Sequence, residues 1–419
     1  MDVHAVTLIG TVRSFGNKGD EAIYITSIKL IRKYLPNIKV ILAPSEFSPS
    51  YAVLRSYRPD TIIRHPMWAL VEAPFISASR GHALKRAVKA FSYHSPPRIS
   101  ALILKVLNCE TSKCFKDTDL FIITPHPLEI EGFPTYIASF MIPSYFNPKI
   151  PIIAFPLSIS TSIMHSYRRR VLVKKALKKA SIILTRGRYT TRYLKETFKV
   201  DNILTSFDPA IMLPKILPKC KPSNGIMITP AGLTLPPQLL AKLIDLLVKK
   251  LERKCFICPT STGDLHIARD ALRIVENKHS CEILDTKNMS PHEVKGLLSH
   301  AEVLITSRVH AAIFALSEFV PVVSILREDD VKFYDVLEAF GLDNYIISPG
   351  INYINQPSIA IRKAKRNYYG KDTINRVVKT TKSLIDNRSL FVKNIKKRLP
   401  QVIARAELAG LVLKNFISE

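Results

Sequence analysis

One stretch of the chain, Ala301 to Leu326, admits few folds; it reads AEVLITSRVHAAIFALSEFVPVVSIL. An apolar strand over Val303–Thr306 meets a polar turn, Ser307 and Arg308. An apolar helix from about His310 to Phe319 follows, and a second apolar strand starts at Val322. Strands apolar on both faces and joined through a helix pair in parallel as a right-handed βαβ unit. The turn then lies at the carboxyl edge of the sheet, where open α/β sheets bind ligands and the amides of a starting helix attract anions. Arg308 and His310 add a guanidinium and an imidazole, which suits an anion with a proton to move. The same residues also fit a surface arginine paired with a carboxylate and a histidine packed in a first helical turn.

The rest of the chain must supply a frame for this unit. At 419 residues it exceeds one ordinary core, so two domains are expected, and 47% apolar residues suffice to fill both. The formal charge of +27 favours anionic partners: a phosphorylated substrate, an acidic membrane surface or nucleic acid. Basic residues spread through helices, most densely from Arg362 to Arg398. No RNP-like or zinc-finger pattern accompanies them, so specific nucleic-acid readout is not expected. The most apolar region, Tyr136 to Ile163, is interrupted by Pro143, Pro148, Pro151 and Pro156 and does not read as a spanning helix. Asp2 and His4 break up the start, which lacks the apolar run of a leader. The expected location is the cytoplasm, with peripheral contact at the inner membrane face as an alternative. Cys255 and Cys258 have C-x-x-C spacing, but KCFIC reads as a buried strand, so reduced core thiols are expected rather than a metal site.

Taken in order, His4–Val12 is a strand, SFGNKGDEA a glycine turn, and Glu21–Tyr34 a helix, the opening of a Rossmann-like half. Gly16 and Gly19 permit a tight turn, yet the spacing is neither G-x-G-x-x-G nor a Walker A loop. Asp20, where the helix begins, fits an N-cap. Further strands are expected at Lys39–Ala43, Asp119–Thr124, Ile150–Phe155 and SIILTR, the last ending in Arg186. Asp208, before Pro209, suits a turn or cap. The resulting domains are residues 1–213, a Pro- and Lys-rich linker at 214–223, a second α/β half at 224–350, and a basic helical tail at 351–419. The amphipathic segment Asn394–Phe416 is long enough to cross back to the first domain or to lie on a membrane.

Several of these strings, taken together, resemble the polysaccharide pyruvyltransferase family. They are Ser307, Arg308, Val309, His310, Ala311, Phe314, Ala315 and Pro321 of the opening stretch, GNKGDEA near the start, the strand-ending Arg186, and SFDPAIML at Ser206–Leu213. The resemblance implies an α/β fold of two Rossmann-like domains facing a central cleft (GT-B-like). It implies transfer of the enolpyruvyl group of phosphoenolpyruvate onto sugar hydroxyls of a cell-surface or lipid-linked glycan, with no cofactor and no metal. Arg186 and Arg308, one from each domain, are the implied anion-binding arginines. Lys332 is a further anion contact, and Ser307, Val309, Asn17 and Gly19 complete the substrate-binding set. His310 is the implied proton donor, since an imidazole titrates near working pH. Asp20, facing the cleft, is the implied acceptor of a hydroxyl proton.

The pattern is not followed everywhere. TPHPLEIEG stands where the family tends to have a glycine run, FPLSIST where it has Ser-Ile-Gly-Pro, and Gly187 where an aspartate usually follows the middle arginine. These changes fall on the acceptor side, and His126 within them fits either a replacement contact or a plain surface histidine. Two other functions stay open: a GT-B glycosyltransferase using a nucleotide sugar, and a non-catalytic basic protein on a membrane or nucleic acid.

Overall fold

The computed structural model describes residues 3–10, 16–44, 58–63, 65–66, 96–107, 109–124, 127–128, 133–160, 166–218, 222, 224–231, 234–326, 331–347 and 371–418. His126 and Cys220 fall outside them, as do the segments 161–165 and 348–370. The chain forms two compact units. Unit 1 comprises Met1–Phe15, Ile23–Asp208 and Glu407–Glu419, and unit 2 comprises Gly16–Ala22 and Pro209–Ala406.

In unit 1 the elements are β1 (Ala5–Ile9), α1 (Lys18–Tyr34, whose first residues belong to unit 2), β2 (Lys39–Ala43), β3 (Thr61–Ile62), α2 (Pro97–Val106), α3 (Glu110–Lys116), β4 (Leu120–Ile123), β5 (Pro127–Leu128), α4 (Phe133–Phe146), β6 (Ile152–Ile159), α5 (Tyr167–Leu177), β7 (Ile182–Thr185), α6 (Arg188–Phe198) and β8 (Ile203–Thr205). Every pairing is parallel, in the order β3-β2-β1-β4-β6-β7-β8, with β5 on β6. The core strands are apolar on both faces because helices cover both sides of a parallel sheet. Residues of α2, α3, α4, α5 and α6 share one buried cluster with strand residues such as Ile123 and Ile183.

Two prolines sit where simple propensity forbids them. Pro143 lies inside α4, which is buried along nearly its whole length, and Pro156 lies inside β6. The strand therefore runs four residues beyond the Phe155 expected from the sequence. Its register with β7 shifts between Ala154 and Leu157, and this irregularity absorbs the missing N–H of Pro156.

Unit 2 repeats the plan with β9 (Ile226–Thr229), α7 (Pro237–Leu251), β10 (Cys255–Ile257), α8 (Thr262–Ile274), β11 (Cys281–Ile283), α9 (Pro291–Leu298), β12 (Val303–Thr306), α10 (Val309–Ser317), β13 (Val322–Ile325), α11 (Val331–Ala339), β14 (Ile346–Ile347), α12 (Lys371–Asp386) and α13 (Arg388–Ser418). Its sheet is parallel in the order β11-β10-β9-β12-β13-β14, the doubly wound arrangement with a switch point between β9 and β12. The last turns of α13 belong to unit 1, where Glu407 pairs with Lys33 at 2.6 Å and Gly410 packs against the Tyr34 ring.

Burial raises the Cys258 and Cys281 thiols to about 12 and raises Cys255 as well, so these free cysteines are inert core side chains. No helix among the described residues is long and apolar enough to cross a membrane.

Candidate active site

The switch point of the unit 2 sheet is built from two adjacent strand ends. The hydroxyls of Thr229 on β9 and Thr306 on β12 bond to each other. The Ser307 amide donates to the Thr229 carbonyl at 3.1 Å, and the Ser307 hydroxyl accepts from the Ala231 amide at 2.6 Å. Thr306 Oγ1 accepts from the Arg308 amide at 2.9 Å, which fixes the backbone as it leaves the strand. Arg308 is thus the extended N-cap residue of α10, and Val309, buried, is the first helical residue. Ser307 is a structural clamp on the strand ends.

The Arg308 guanidinium is held by Asp264 in the first turn of α8, Nε to Oδ2 at 3.0 Å and Nη2 to Oδ1 at 2.5 Å. The Arg308 side chain is 32% exposed and Asp264 only 1%. Burial raises the Asp264 pKa, and the charge and hydrogen bonds of Arg308 oppose it. Two of the five arginine donors are engaged there, on a side chain that remains partly exposed.

The glycine turn Gly16–Ala22 belongs to this same unit and meets it at three points. The Lys18 amide donates to the Thr260 carbonyl at 3.0 Å, at the carboxyl end of β10. Gly16 takes a positive φ of 106°, accepts close approach of Thr262, and donates its amide to Glu21 Oε1 at 2.8 Å. Gly19 lies against His310 so closely that a Cβ there would stand 2.1 Å from Nδ1. Only glycine lets the imidazole occupy that place. Lys18 and Glu21, both buried, pair at 3.6 Å, and burial raises the Glu21 carboxyl above its ordinary range.

The helix start differs from the sequence expectation. Asp20 is not the N-cap of α1: the helix begins at Lys18, and Asn17 caps it by accepting the Gly19 amide on Oδ1 at 3.1 Å. Glycine at the second helical position disguised the true start. Asp20 is a half-buried member of the first turn, where its charge complements the helix dipole.

Lys332 is half-buried in the first turn of α11, which follows β13, the neighbour of β12. Arg186 lies in unit 1 and is fully buried. Its Nε pairs with Asp208 at 2.9 Å and donates to the Pro156 carbonyl at 3.3 Å, the group exposed by the irregularity in β6. Asp208, directly before the 3-10 turn at Pro209–Met212, is also the ion-pair partner of Arg186. Among the described residues Arg186 Nη1 and Nη2 have no hydrogen-bond partner.

The GNKGDEA turn and the turn that carries Arg308 and His310 thus meet at one sheet edge. The polysaccharide pyruvyl transferase family matches the chain over residues 17–329, from Asn17 of the glycine turn to just past β13. The chain belongs to that family. This pyruvyl transferase-family protein is accordingly a transferase that modifies polysaccharide, and Lys332 lies three residues beyond the matched segment. No curated protein matches it.

Solved structures share its fold. A UDP-GlcNAc 2-epimerase from Neisseria meningitidis bound to UDP-GlcNAc aligns with a TM-score of 0.56 at 12% identity, over 99% of this chain and 100% of that one. A glycosyltransferase from Rickettsia africae gives 0.52 at 10% identity over 100% of both. A UDP-GlcNAc 2-epimerase from Methanocaldococcus jannaschii gives 0.52 at 12%, over 91% and 99%. The fold is GT-B-like, with two Rossmann-like domains.

Asp264, Thr260 and Glu21 were missed in the sequence. TSTGDL at Thr260–Leu265 carried a signal, a Thr- and Gly-rich turn at a strand's carboxyl end. Nothing local shows that its aspartate pairs with an arginine 44 residues on.

Proposed function

We propose that this transferase takes its pyruvyl group from phosphoenolpyruvate and sets it as a ketal on two hydroxyls of a cell-surface or lipid-linked glycan, releasing phosphate. One observation carries the reading: the Gly19–His310 approach, which brings the GNKGDEA turn to the switch point of unit 2, with Arg308 two residues from His310. The unused donors of Arg308 and the amides opening α10 suit a phosphate or carboxylate. His310 gives a proton to C3 of the enol, and C2 becomes electron-poor. A first sugar hydroxyl adds to C2 and returns its proton to the imidazole. A second hydroxyl then replaces the phosphate, and Asp20 takes the second proton. Proton transfer of this kind supplies on the order of 10²- to 10⁴-fold.

Ser307 and Asn17 hold the site's backbone, Val309 and Gly19 shape it, and Lys332 is a further anion contact. Arg186 remains an anion-binding arginine of unit 1 through its two unpartnered Nη groups; reaching them requires that the side chain be uncovered. No cofactor or metal is needed for the chemistry, and the protein works at the cytoplasmic side.

The test is phosphate release from phosphoenolpyruvate with an acceptor glycan. Arg308→Ala and His310→Ala, folded by circular dichroism, abolish it on this reading. Normal turnover in both removes these residues from the mechanism. Because UDP-GlcNAc occupies the same fold in the Neisseria protein, binding of UDP in place of phosphoenolpyruvate would favour a nucleotide-sugar reaction.

A further inference from the structure

The helix α2 of unit 1 is built inside out. Its buried face consists of Ser100, Ala101 and Leu104, whereas Ile99, Leu102 and Val106 point outward, 42%, 62% and 77% exposed. Positions 99, 102 and 106 lie one above another on a helix, so the three side chains form one stripe. An outward stripe more apolar than the inward face packs against nothing among the described residues of unit 1 and marks a surface that meets something apolar.

What surrounds the stripe fixes the partner. On α5, which also packs against α4, Tyr167 and Leu172 are exposed. Cations from both helices converge on Tyr145 near the end of α4: Arg98 of α2 lies 5.2 Å from the ring centroid and Lys179, just past α5, lies 5.5 Å from it. The same two helices and the residues just past α5 carry Arg98, Lys105, Arg168, Arg169, Arg170, Lys174, Lys175, Lys178 and Lys179. No acidic residue occurs between 96 and 109 or between 161 and 195. None of these cations is in an ion pair with a described residue.

We infer that the α2–α5 face is a docking surface for a bilayer containing anionic phospholipid. Exposed aliphatic side chains on helices that also carry unpaired Lys and Arg match an acyl boundary beneath phosphate headgroups. A nucleic acid would leave Ile99, Leu102 and Val106 against water or phosphate, so the aliphatic stripe argues against it. The basic tail helices α12 and α13 are not the attachment point, since Leu390 and Leu411, the exposed large apolar residues there, lie 21 positions apart rather than forming a stripe.

The inference does not depend on the pyruvyl chemistry, and its readout is binding rather than turnover. The full chain is sedimented with phosphatidylcholine vesicles with and without phosphatidylglycerol, at physiological and at high salt. The expected result is binding to the anionic vesicles alone, weakened by salt. Each cation near an anionic surface contributes about fivefold, so Lys174→Gln/Lys175→Gln/Lys178→Gln lowers the partition coefficient on the order of 100-fold. Leu102→Ser/Val106→Ser lowers it by about tenfold or more. The charge-matched control Lys382→Gln/Lys393→Gln/Lys397→Gln leaves it unchanged. Absence of binding, equal binding to neutral vesicles, loss with the control variant, or competition by RNA that outlasts the Leu102→Ser/Val106→Ser substitution would each overturn the inference.

Discussion

Replacing Gly19 by alanine tests the structural core of the proposed site. A Cβ at this position would stand 2.1 Å from His310 Nδ1, 2.3 Å from Cγ and 2.5 Å from Cβ. Ordinary contact begins at 3.4 Å, so the imidazole must retreat by about 1.3 Å. Alanine favours a helix over glycine by up to about 1 kcal/mol, while the overpacking costs about 1–3 kcal/mol. The net loss of stability is therefore about 0–3 kcal/mol, and the protein stays folded. Misplacing a proton donor by about 1 Å costs on the order of 10²-fold in rate, which is about 2.7 kcal/mol of transition-state stabilisation. The assay pairs urea unfolding with steady-state phosphate release, and follows the His310 ring resonances by NMR. Gly263→Ala is the matched control, since a Cβ there meets nothing within 4 Å. Unmoved His310 resonances in Gly19→Ala would refute the contact, and moved resonances with undiminished turnover would refute the role of the imidazole.

Two further outcomes concern buried charge. Asp208→Ala leaves the Arg186 guanidinium buried without its counter-ion, at a cost of about 3–5 kcal/mol. The double variant Arg186→Met/Asp208→Ala recovers most of that in urea unfolding; a cost below about 1 kcal/mol for the single variant contradicts the pairing. Lys295, buried on α9, donates to the carbonyls of Ile211 at 3.2 Å and Leu213 at 2.6 Å, and burial lowers its pKa from 10.5 to about 8 against the pull of Glu318. Between those values the unfolded chain holds the proton that the folded one has released, so this group's contribution rises with pH from about 8 to 10.5. The rise is about 3 kcal/mol at 1.36 kcal/mol per unit. Lys295→Met abolishes it, and stability curves that run parallel for both proteins from neutral to alkaline pH contradict it.

The fold was legible where the hydrophobic pattern left one solution. Val303–Thr306 is apolar on both faces and too short for a helix, and the structure has the strand at those residues. Lys39–Ala43 is equally unambiguous. Boundaries went astray where a residue serves a distant neighbour. Gly19 reads as part of a loop because glycine disfavours helix, yet it stands in the first turn of α1 so that His310 can approach. Pro156 reads as a strand end, yet β6 continues past it through an irregularity whose carbonyl takes a hydrogen bond from Arg186. In the site, Arg308 and His310 were visible because a strand and a helix bracket them. Asp264 was not, because its pairing exists only once β10 and β12 flank β9.

The most direct measurement is calorimetric titration of the protein with phosphoenolpyruvate and, separately, with UDP, repeated on Arg308→Gln. The expected result is that phosphoenolpyruvate binds the native protein, that loss of the charge-assisted contacts weakens it by about 10- to 100-fold in the variant, and that UDP gives no heat. Binding of UDP alone, or phosphoenolpyruvate binding that Arg308→Gln leaves untouched, would contradict the assignment of the donor to the turn between β12 and α10.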